Sequence, residues 1–416
     1  MLVEFSVGNF RSFKDIQTLS MVAAPISSKD KELDEQNTFQ ATPKFRLLKT
    51  KAIYGANGSG KSNFVNAMMS FNDLIIMSGR QDANLDSFVQ PFLFSTESDG
   101  KATFFQIIII IEGISYRYGF EATETEIISE WLFATPNQRE VYYFRREKQE
   151  LEINDNHLKG ARKIQNLLGD SSTVYKKTSL FLTVLASLNV QIASGIVKYF
   201  AGFYVDSNVT DYKTHEILKR DFSTNQFLKG TYNKQVIEFL KFADSGIEDI
   251  GLFEPKDKSK NDKMIAYVSK KFDDKNSKTN EVVLPFFRYA SEGTKQIFDI
   301  TPFIIDSLEK EYPLVIDEFD SKLHPIITKK IVETYHKNEN NAQLIFVTHD
   351  TNLLDSKLLR RDQIAFIEKD KYGASHLYDL VEFKGVRNDA SFEKDYLDGR
   401  YGAIPFVGNF DSIFAK

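Results

Sequence analysis

The sequence contains no cysteine among its 416 residues. Disulfide bonds and cysteine-based zinc sites are therefore excluded, which is compatible with a reducing compartment. Long hydrophobic runs are also missing, since the most apolar stretch, 104–111, is far shorter than the roughly 20 residues of a membrane helix. Residues 1–7 alternate in polarity and include an early glutamate, unlike a signal peptide. We therefore expect a cytoplasmic protein that does not contact a membrane.

An excess of positive charge is absent as well, because the net charge is −5. This argues against nucleic-acid binding by the chain as a whole but leaves a local basic patch open. Hydrophobic residues make up 42% of the chain, with 36 Phe and 18 Tyr. That content is typical of packed cores and not of a disordered chain. The length allows one large domain or two to three ordinary ones.

The clearest feature that is present is a phosphate-binding pattern, GANGSGKS at 55–62, which fits G-x-x-x-x-G-K-[ST] at every fixed position. Glycines let backbone N–H groups curl around a polyphosphate. Lys61 would reach the β- and γ-phosphates, and Ser62 would bind Mg²⁺. A strand is predicted over 47–54 and a helix over 63–77, whose N-terminus favours anions. The predicted nucleotide contacts are Gly55, Asn57, Gly58, Ser59, Gly60, Lys61, Ser62 and Asn63.

Two later strands end in residues that suit ATP hydrolysis. The apolar strand 312–316 ends in Asp317, which would hold Mg²⁺ largely through water. Glu318 would polarise the attacking water as general base. A strand followed by an acidic turn is common, but together with the P-loop it predicts an ATPase that uses ATP and Mg²⁺. His349 ends the next buried strand and could contact the γ-phosphate, although a lone histidine at a strand end is usually structural.

Residues 291–296, Ser-Glu-Gly-Thr-Lys-Gln, open another predicted helix. Ser291 and Gly293 at a helix N-terminus make a second potential anion site. One nucleotide in one chain has little use for it. Two chains facing head to tail would each offer this stretch to the γ-phosphate bound by the other. Read alone, the stretch is an ordinary capped helix start.

The pattern along the chain predicts an α/β fold in three parts. Residues 1–150 carry the P-loop and an antiparallel meander, 151–255 a helical insertion, and 256–416 alternating helices and buried strands. A polar surface loop is expected over 26–45 and a solvated charged loop over 256–263. Within the insertion, apolar residues at helical spacing predict helices over Leu158–Leu168, Ser179–Phe200, Lys213–Leu228 and Asn233–Ala243.

The order of these motifs resembles the ABC-type ATPase heads of the SMC, RecF and OLD groups. Three further runs are similar to a narrower set, the stand-alone bacterial AAA-type ATPases of the RloA-like anti-phage defence group: NFRSF at 9–13, DSKLHP at 320–325 and GRYGAIP at 399–405. The resemblance covers about 1–135 and 280–416. Departures are a Ser-Glu-Gly-Thr signature in place of Leu-Ser-Gly-Gly, and an insertion too short for a long coiled coil.

The resemblance implies an ATP-driven head dimer or higher homo-oligomer. In it Ser291 and Gly293 act across the interface, the loop 320–324 couples the two sites, and His349 is the switch histidine. A metal-sensing glutamine is also implied, and Gln90 and Gln106 are both candidates.

Three functions are open at this point. The first is an ATPase that serves as sensor and scaffold in phage defence, responds to a phage-derived trigger and controls a separate toxin or nuclease. The second is an OLD-like ATP-dependent nuclease, which needs a metal-binding carboxylate cluster. Asp350, Asp355 and Asp362 follow the histidine but are typical of loop and helix-cap acids. The third is a RecF- or SMC-like DNA-binding repair ATPase, whose candidate basic residues are Arg145, Arg146, Lys329, Lys330, Lys357, Arg360 and Arg361.

Overall fold

The computed structural model describes residues 1–28, 30–79, 84–148, 150–161, 163–164, 176–206, 212–253, 264–273, 278–388 and 390–405. Two large sheets organise these residues, together with a two-stranded and a three-stranded sheet. The predicted α/β class, a P-loop sheet beside an antiparallel subdomain, is confirmed.

The first large sheet has six strands and is parallel except at one edge. Its first four strands are the edge strand (Tyr204–Asp206), the acidic strand (Leu314–Ile316), the histidine strand (Leu344–Val347) and the P-loop strand (Thr50–Tyr54). They lie side by side in that order, all parallel. Ile364–Lys369 follows in parallel and pairs with Ser375–Asp379 in an antiparallel hairpin. Because parallel strands end at the same edge of a sheet, the P-loop, Asp317 and His349 meet there.

The second large sheet has seven antiparallel strands. In spatial order they are Glu150–Ile153, Val141–Glu147, Ile127–Thr135, Ile114–Ala122, Thr103–Ile111, Leu2–Gly8 and Gln17–Ser20. The apolar run 104–111 forms most of the strand Thr103–Ile111. The P-loop helix (Lys61–Met77) packs on this sheet, and its Phe71 contacts the rings of Phe5, Phe105 and Phe120. The buried aromatic cluster ties the P-loop to the antiparallel sheet.

The middle of the chain supplies helices to both sheets. Phe181–Ser187 and Gln191–Gly202 pack beside the P-loop helix, and the insertion helix (Tyr212–Leu228) and Asn233–Ala243 pack on the signature helix (Glu292–Lys310). The last two helices agree with the predicted spans Lys213–Leu228 and Asn233–Ala243, but Ser179–Phe200, predicted as one helix, forms two helices bent by 105°. Of the predicted helix Leu158–Leu168, only residues 158–161 and 163–164 are described. The same segment also contributes the edge strand, so 151–255 is partly a component of the ATPase sheet. Its boundaries as a domain stay a prediction.

The remaining elements cover the edges. The small sheets pair Thr38–Gln40 with Arg46–Leu48, and Asp249–Phe253 with the hairpin Met264–Asp273 and Lys278–Pro285. Further α-helices are Lys31–Asn37, Phe286–Tyr289, Pro325–Lys337 and Phe392–Leu397. Short 3₁₀ turns occupy Leu85–Ser87, Thr96–Ser98, Thr351–Leu353, Arg361–Gln363 and Leu380–Glu382.

The expectation of a plain surface loop over 26–45 is wrong. Asp30 accepts a hydrogen bond from the backbone N–H of Glu32 and begins the helix Lys31–Asn37. The buried side chain of Asn37 then donates to the carbonyl oxygen of Leu358. A short helix with few apolar positions leaves little periodicity to detect. The charged loop predicted over 256–263 lies outside the described residues.

Within the described part of the chain, no single helix is both long and apolar enough to cross a membrane. Phe181–Ser187 and Gln191–Gly202 pass that test only as a pair bent by 105°, and by length and composition alone.

Candidate functional site

The P-loop connects the P-loop strand to the P-loop helix in a conformation that requires glycine. Gly58 and Gly60 have φ values of 77° and 112°, in the left-handed region that disfavours other residues. A Cβ atom on Gly55 would lie 2.3 Å from the carbonyl oxygen of Ile367, and one on Gly60 would lie 2.3 Å from Ser375 Oγ. Asn57 and Gly58 are exposed at the tip of the loop. The glycines therefore fix a tight loop between neighbouring strands.

The two polar side chains inside this loop have different surroundings. The Oγ of Ser59 is buried and has no hydrogen-bond partner among the described residues. The Nζ of Lys61 donates to the carbonyl oxygens of Gly55 (2.8 Å) and Ala56 (2.9 Å). Burial lowers the pKa of Lys61, while the negative charges of Asp317, Glu318 and Asp320 oppose that shift. The lysine thus lies over the loop within the electrostatic reach of the acids.

The predicted metal ligands Ser62 and Asp317 are brought together. The Ser62 hydroxyl lies close enough to the Asp317 carboxyl group to influence its pKa, although the two residues are 255 positions apart in the sequence. Asp317 is only 2% exposed, and burial raises its pKa to about 6. The nearby Ser62 hydroxyl opposes this rise, and the charges of Glu318 and Asp206 add to it. A buried carboxyl group beside a hydroxyl is an arrangement that a divalent cation would stabilise in its ionised form.

Glu318 and His349 lie at the same edge of the sheet. Glu318 is exposed and has a left-handed backbone with φ of 48°, which lifts it out of the acidic strand. His349 is also exposed. Its pKa is lowered first by loss of hydration and then by the charge of Lys61, while Asp320 and Glu318 raise it. The histidine thus shares the electrostatic environment of the P-loop lysine and the acids.

Asp320 connects the acidic strand to the histidine strand. Its Oδ1 accepts hydrogen bonds from Thr348 Oγ1 (2.6 Å) and from the backbone N–H of His349 (3.1 Å). The backbone N–H of Phe319 donates to the carbonyl oxygen of Val347 (2.8 Å). The loop that the family resemblance marks at 320–324 therefore holds His349 directly.

Gln90 and Gln106, which the sequence could not separate, lie in different surroundings. Gln90 accepts a hydrogen bond from Arg11 Nε at 2.7 Å, and Arg11 Nη1 lies 3.5 Å from Oδ1 of Asn63 in the P-loop helix. Gln106 Oε1 accepts instead from Arg117 (3.2 Å) and Trp131 (3.3 Å) within the antiparallel sheet. Gln90 is thus connected to the P-loop helix through Arg11, and Gln106 is part of the sheet surface.

Two serines that were not predicted as site residues brace the P-loop. Ser375 Oγ donates to the carbonyl oxygen of Ser59 at 2.5 Å, and the backbone N–H of Ser375 donates to Ser12 at 2.7 Å. Ser12 Oγ accepts from Asn63 Nδ2 at 2.9 Å. Ser12 lies in the NFRSF run that carries the family resemblance, which is a usable signal. Ser375 has no sequence signal, because only the sheet order places it beside the loop.

The stretch at 291–296 begins the signature helix and lies against the loop 320–324. Ser291 Oγ accepts from the backbone N–H of Thr294 at 3.1 Å, as a helix N-cap. A Cβ atom on Gly293 would lie 2.5 Å from the carbonyl oxygen of Lys322. Ser291 and Glu292 are exposed. The contacts described for Ser291 and Gly293 are therefore with their own helix and the adjoining loop.

The residues proposed for the two alternative functions have internal partners. Asp362 pairs with Arg360, Asp355 with Lys329, and Asp350 accepts from Asn352. Among the residues that the structure describes, no group of three or more His, Asp or Glu side chains is placed to hold a metal ion.

Several of the candidate basic residues are similarly engaged. Arg146 is buried against Glu130, Lys330 pairs with Glu333, and Arg361 donates to Asn388. The guanidinium group of Arg145 lies over the rings of Phe133 and Tyr142.

Two solved structures of SMC protein heads are similar to this chain. The first, titled "Crystal structure of the SmcHead bound to the C-winged helix domain of ScpA", is 12% identical with a TM-score of 0.42, and the match covers 91% of this chain and 97% of that chain. The second, an SMC head domain from Thermotoga maritima, is 13% identical with a TM-score of 0.40, and the match covers 91% and 98%. No curated protein matches the chain.

A family model matches residues 52–161 and 210–355, which is more than half of the chain. The matched ranges include the P-loop, Ser291, Gly293, Asp317, Glu318 and His349. The chain belongs to the ATPase family described as "AAA domain, putative AbiEii toxin, Type IV TA system".

Proposed function

We propose that this protein hydrolyses ATP with Mg²⁺ at sites that two copies of the chain complete together, and that this cycle controls a separate effector in phage defence. The observation that carries the ATPase part is that the sheet brings the Ser62 hydroxyl of the P-loop close to the buried carboxyl group of Asp317 at the end of the acidic strand. These are the two side chains that a P-loop ATPase uses to hold its metal ion. Family membership in an AAA-type ATPase domain supports the same chemistry.

The residues around the P-loop are suited to bind Mg²⁺ and a nucleoside triphosphate. The left-handed glycines turn the loop so that its N–H groups can line a concave anion site. The buried, partnerless Oγ of Ser59 offers a further hydrogen bond inside the same loop. Ser62 and Asp317 supply oxygen ligands of the kind that Mg²⁺ prefers. Bound there, the ion would supply charge neutralisation for the β- and γ-phosphates.

The protein side chains would then have separate roles. Lys61 would exchange its two P-loop carbonyl partners for phosphate oxygens. Glu318, exposed at the end of the acidic strand, would take a proton from the attacking water. His349 would lie against the terminal phosphate and report its loss through Asp320, which holds both Thr348 and the histidine backbone.

The second copy is proposed because the signature residues face outward. Ser291 and Glu292 are exposed at the N-terminus of a 19-residue helix. Such a terminus favours a phosphate group. A head-to-tail pair would give each nucleotide a P-loop from one chain and Ser291 and Gly293 from the other.

The ATPase proposal is tested with purified protein. We expect phosphate release from ATP that requires Mg²⁺ and is abolished in Lys61→Ala. The matched control is Lys241→Ala, an exposed lysine of the helix Asn233–Ala243. If Lys61→Ala released phosphate at the wild-type rate, the activity would belong to a contaminant or to another site.

The defence role is supported by two observations. The runs at 9–13, 320–325 and 399–405 are similar to the RloA-like group, and the family description names a toxin–antitoxin system. The proposed arrangement is a cytoplasmic ATPase that senses a phage-derived trigger and passes its nucleotide state to a separate toxin or nuclease. The helices of the 151–255 segment would contact that partner.

A phage challenge tests this role. Cells that carry the gene with its neighbouring reading frames should survive infection, and cells with Lys61→Ala or Glu318→Gln in the same operon should not. Equal protection by the Lys61→Ala operon would separate defence from ATP binding. Cleavage of DNA by the purified protein alone with Mg²⁺ would favour the OLD-like nuclease instead.

A further inference from the structure

A buried ion pair connects the insertion helix to the six-stranded sheet that carries the P-loop. The Nζ of Lys219 pairs with Oδ2 of Asp206, and both side chains are almost fully buried. Asp206 ends the edge strand, and Lys219 lies in the middle of the insertion helix. Two charges are rarely removed from water unless each compensates the other. Each of the two buried charges therefore depends on the other for its stability in the fold.

Asp206 is next to the predicted metal ligand. The edge strand and the acidic strand are parallel, with Asp206 in register with Ile316. The carbonyl oxygen of Asp206 accepts a hydrogen bond of 2.9 Å from the backbone N–H of Asp317. The end of the edge strand thus holds the backbone from which the Asp317 carboxylate projects. A displacement of Asp206 would move Asp317 with it.

Without Lys219, the Asp206 carboxylate would be buried close to the carboxylate of Asp317. Two like charges in a poorly hydrated region repel strongly. The repulsion would push either the edge strand or Asp317 out of position. Lys219 counters it from the insertion helix and not from the sheet.

The neighbouring residues fix this helix against the signature helix. Arg220 lies 3.3 Å from Oδ2 of Asp299, and Ser223 Oγ donates to the carbonyl oxygen of Asp299 at 2.7 Å. The Phe303 ring of the signature helix is stacked on Phe222, with 4.5 Å between ring centroids. The same turn of the insertion helix therefore contacts the end of the edge strand and the signature helix.

We propose that Lys219 is a positioning residue for the metal site: by neutralising Asp206, it holds the edge strand where its backbone orients Asp317 for Mg²⁺. This inference rests on the proposed ATPase function, and it makes the insertion helix part of the metal site. It predicts that Lys219 governs the affinity for the metal ion and leaves the P-loop's own hold on the nucleotide intact.

The test is the Mg²⁺ dependence of equilibrium binding of a fluorescent ATP analogue to Lys219→Met. We expect the Mg²⁺ concentration for half-maximal enhancement to rise about 10-fold, as for other residues that orient metal ligands. Binding in EDTA should be unchanged. Lys219→Arg, which keeps the charge, should stay near wild type. Lys241→Met, which removes an exposed lysine elsewhere in the same segment, is the matched control.

The outcomes separate this inference from the ATPase proposal. A folded Lys219→Met with wild-type Mg²⁺ dependence would overturn the role of Lys219 while leaving the ATPase intact. No nucleotide binding by the wild-type chain would overturn the ATPase proposal itself. If Lys219→Met does not fold, the charge-neutral pair Asp206→Asn with Lys219→Met decides. We expect this double variant to fold and to need nearly the wild-type Mg²⁺ concentration for half-maximal enhancement. A 10-fold higher concentration in the folded double variant would contradict the inference.

Discussion

The P-loop and the signature stretch are the two predicted phosphate-binding regions, and they are held in opposite ways. Gly55, Ser59, Gly60 and Lys61 are buried, and strands from both ends of the chain surround them. Ser291, in contrast, is exposed and caps its own helix. One region is enclosed by the fold, and the other is presented at its surface.

This difference indicates where each region finds its ligand. An enclosed loop with a buried, partnerless serine hydroxyl is prepared for a group bound by the same chain. The signature helix start is packed closely on one side, because a Cβ atom added to Gly293 would lie 2.5 Å from a backbone oxygen. Its exposed side remains open to another molecule. The contrast between the two regions supports two half-sites per chain.

The largest effect is expected at the P-loop half. Glu318→Gln should reduce the rate of ATP hydrolysis by about 10²- to 10⁴-fold, because it removes the proposed general base and keeps the shape of the side chain. ATP binding should persist, so a dimer should accumulate with ATP and Mg²⁺. Light scattering after size-exclusion chromatography measures it. Wild-type turnover by this variant would show that Glu318 is not the base.

Mixing two inactive variants separates the two halves. Lys61→Ala lacks a working P-loop, and Ser291→Arg blocks the exposed helix start, so each alone should be inactive. In a one-to-one mixture the mixed dimers contain one intact composite site, and about a quarter of the wild-type rate should return. The rate is followed by phosphate release at increasing total concentration.

Two outcomes control this experiment. Ser291→Arg should still bind the nucleotide and lose only about 1 kcal/mol of stability from the missing N-cap. If the mixture stayed inactive although Ser291→Arg bound the nucleotide and the two variants formed mixed dimers, the signature would not serve the neighbouring chain. Activity of Ser291→Arg alone would place the complete site within one chain.

The P-loop half was predictable from the sequence because its chemistry is local. The glycines and Lys61 occupy adjacent positions, and Asp317 and His349 each end an apolar strand of recognisable pattern. Parallel strands then bring these ends together without further information.

Ser375 and Asp206 were not predictable. Ser375 reaches Ser59 across 316 positions, and only the order of strands in the sheet makes them neighbours. The edge strand has three residues in a segment whose periodicity is otherwise helical, so it gives almost no signal. Long-range pairing decides such contacts, and composition does not report it.

The buried Asp317 should make the stability of the folded protein depend on pH. Burial is the main reason that the pKa of Asp317 is raised to about 6, above its usual 3.8. Because this pKa is higher in the folded than in the unfolded protein, ionisation of the carboxyl group destabilises the fold. The destabilisation is small near pH 4 and reaches its full size above pH 6. Asp317→Asn should therefore raise the free energy of unfolding of the nucleotide-free protein by on the order of 2 kcal/mol at pH 7.5.

Urea titrations of wild type and Asp317→Asn between pH 4 and pH 8 measure this difference. It should grow as the pH rises towards 6 and then level off. Glu318→Gln is the matched control, since Glu318 is exposed at the next position and its replacement should have a much smaller effect. A difference that is constant across the pH range would mean that Asp317 stays ionised in the folded protein.

The smallest effect distinguishes the two glutamines. Gln90 is connected to the P-loop helix through Arg11, so Gln90→Ala should lower ATP hydrolysis about 10-fold with little change in stability. Gln106→Ala should show the reverse. Arg117 and Trp131 would lose a shared acceptor in the antiparallel sheet, at a cost of about 1 kcal/mol, while hydrolysis continues. Phosphate release and urea unfolding of both variants test the pair, and a loss of activity confined to Gln106→Ala would move the metal-sensing role to the antiparallel sheet.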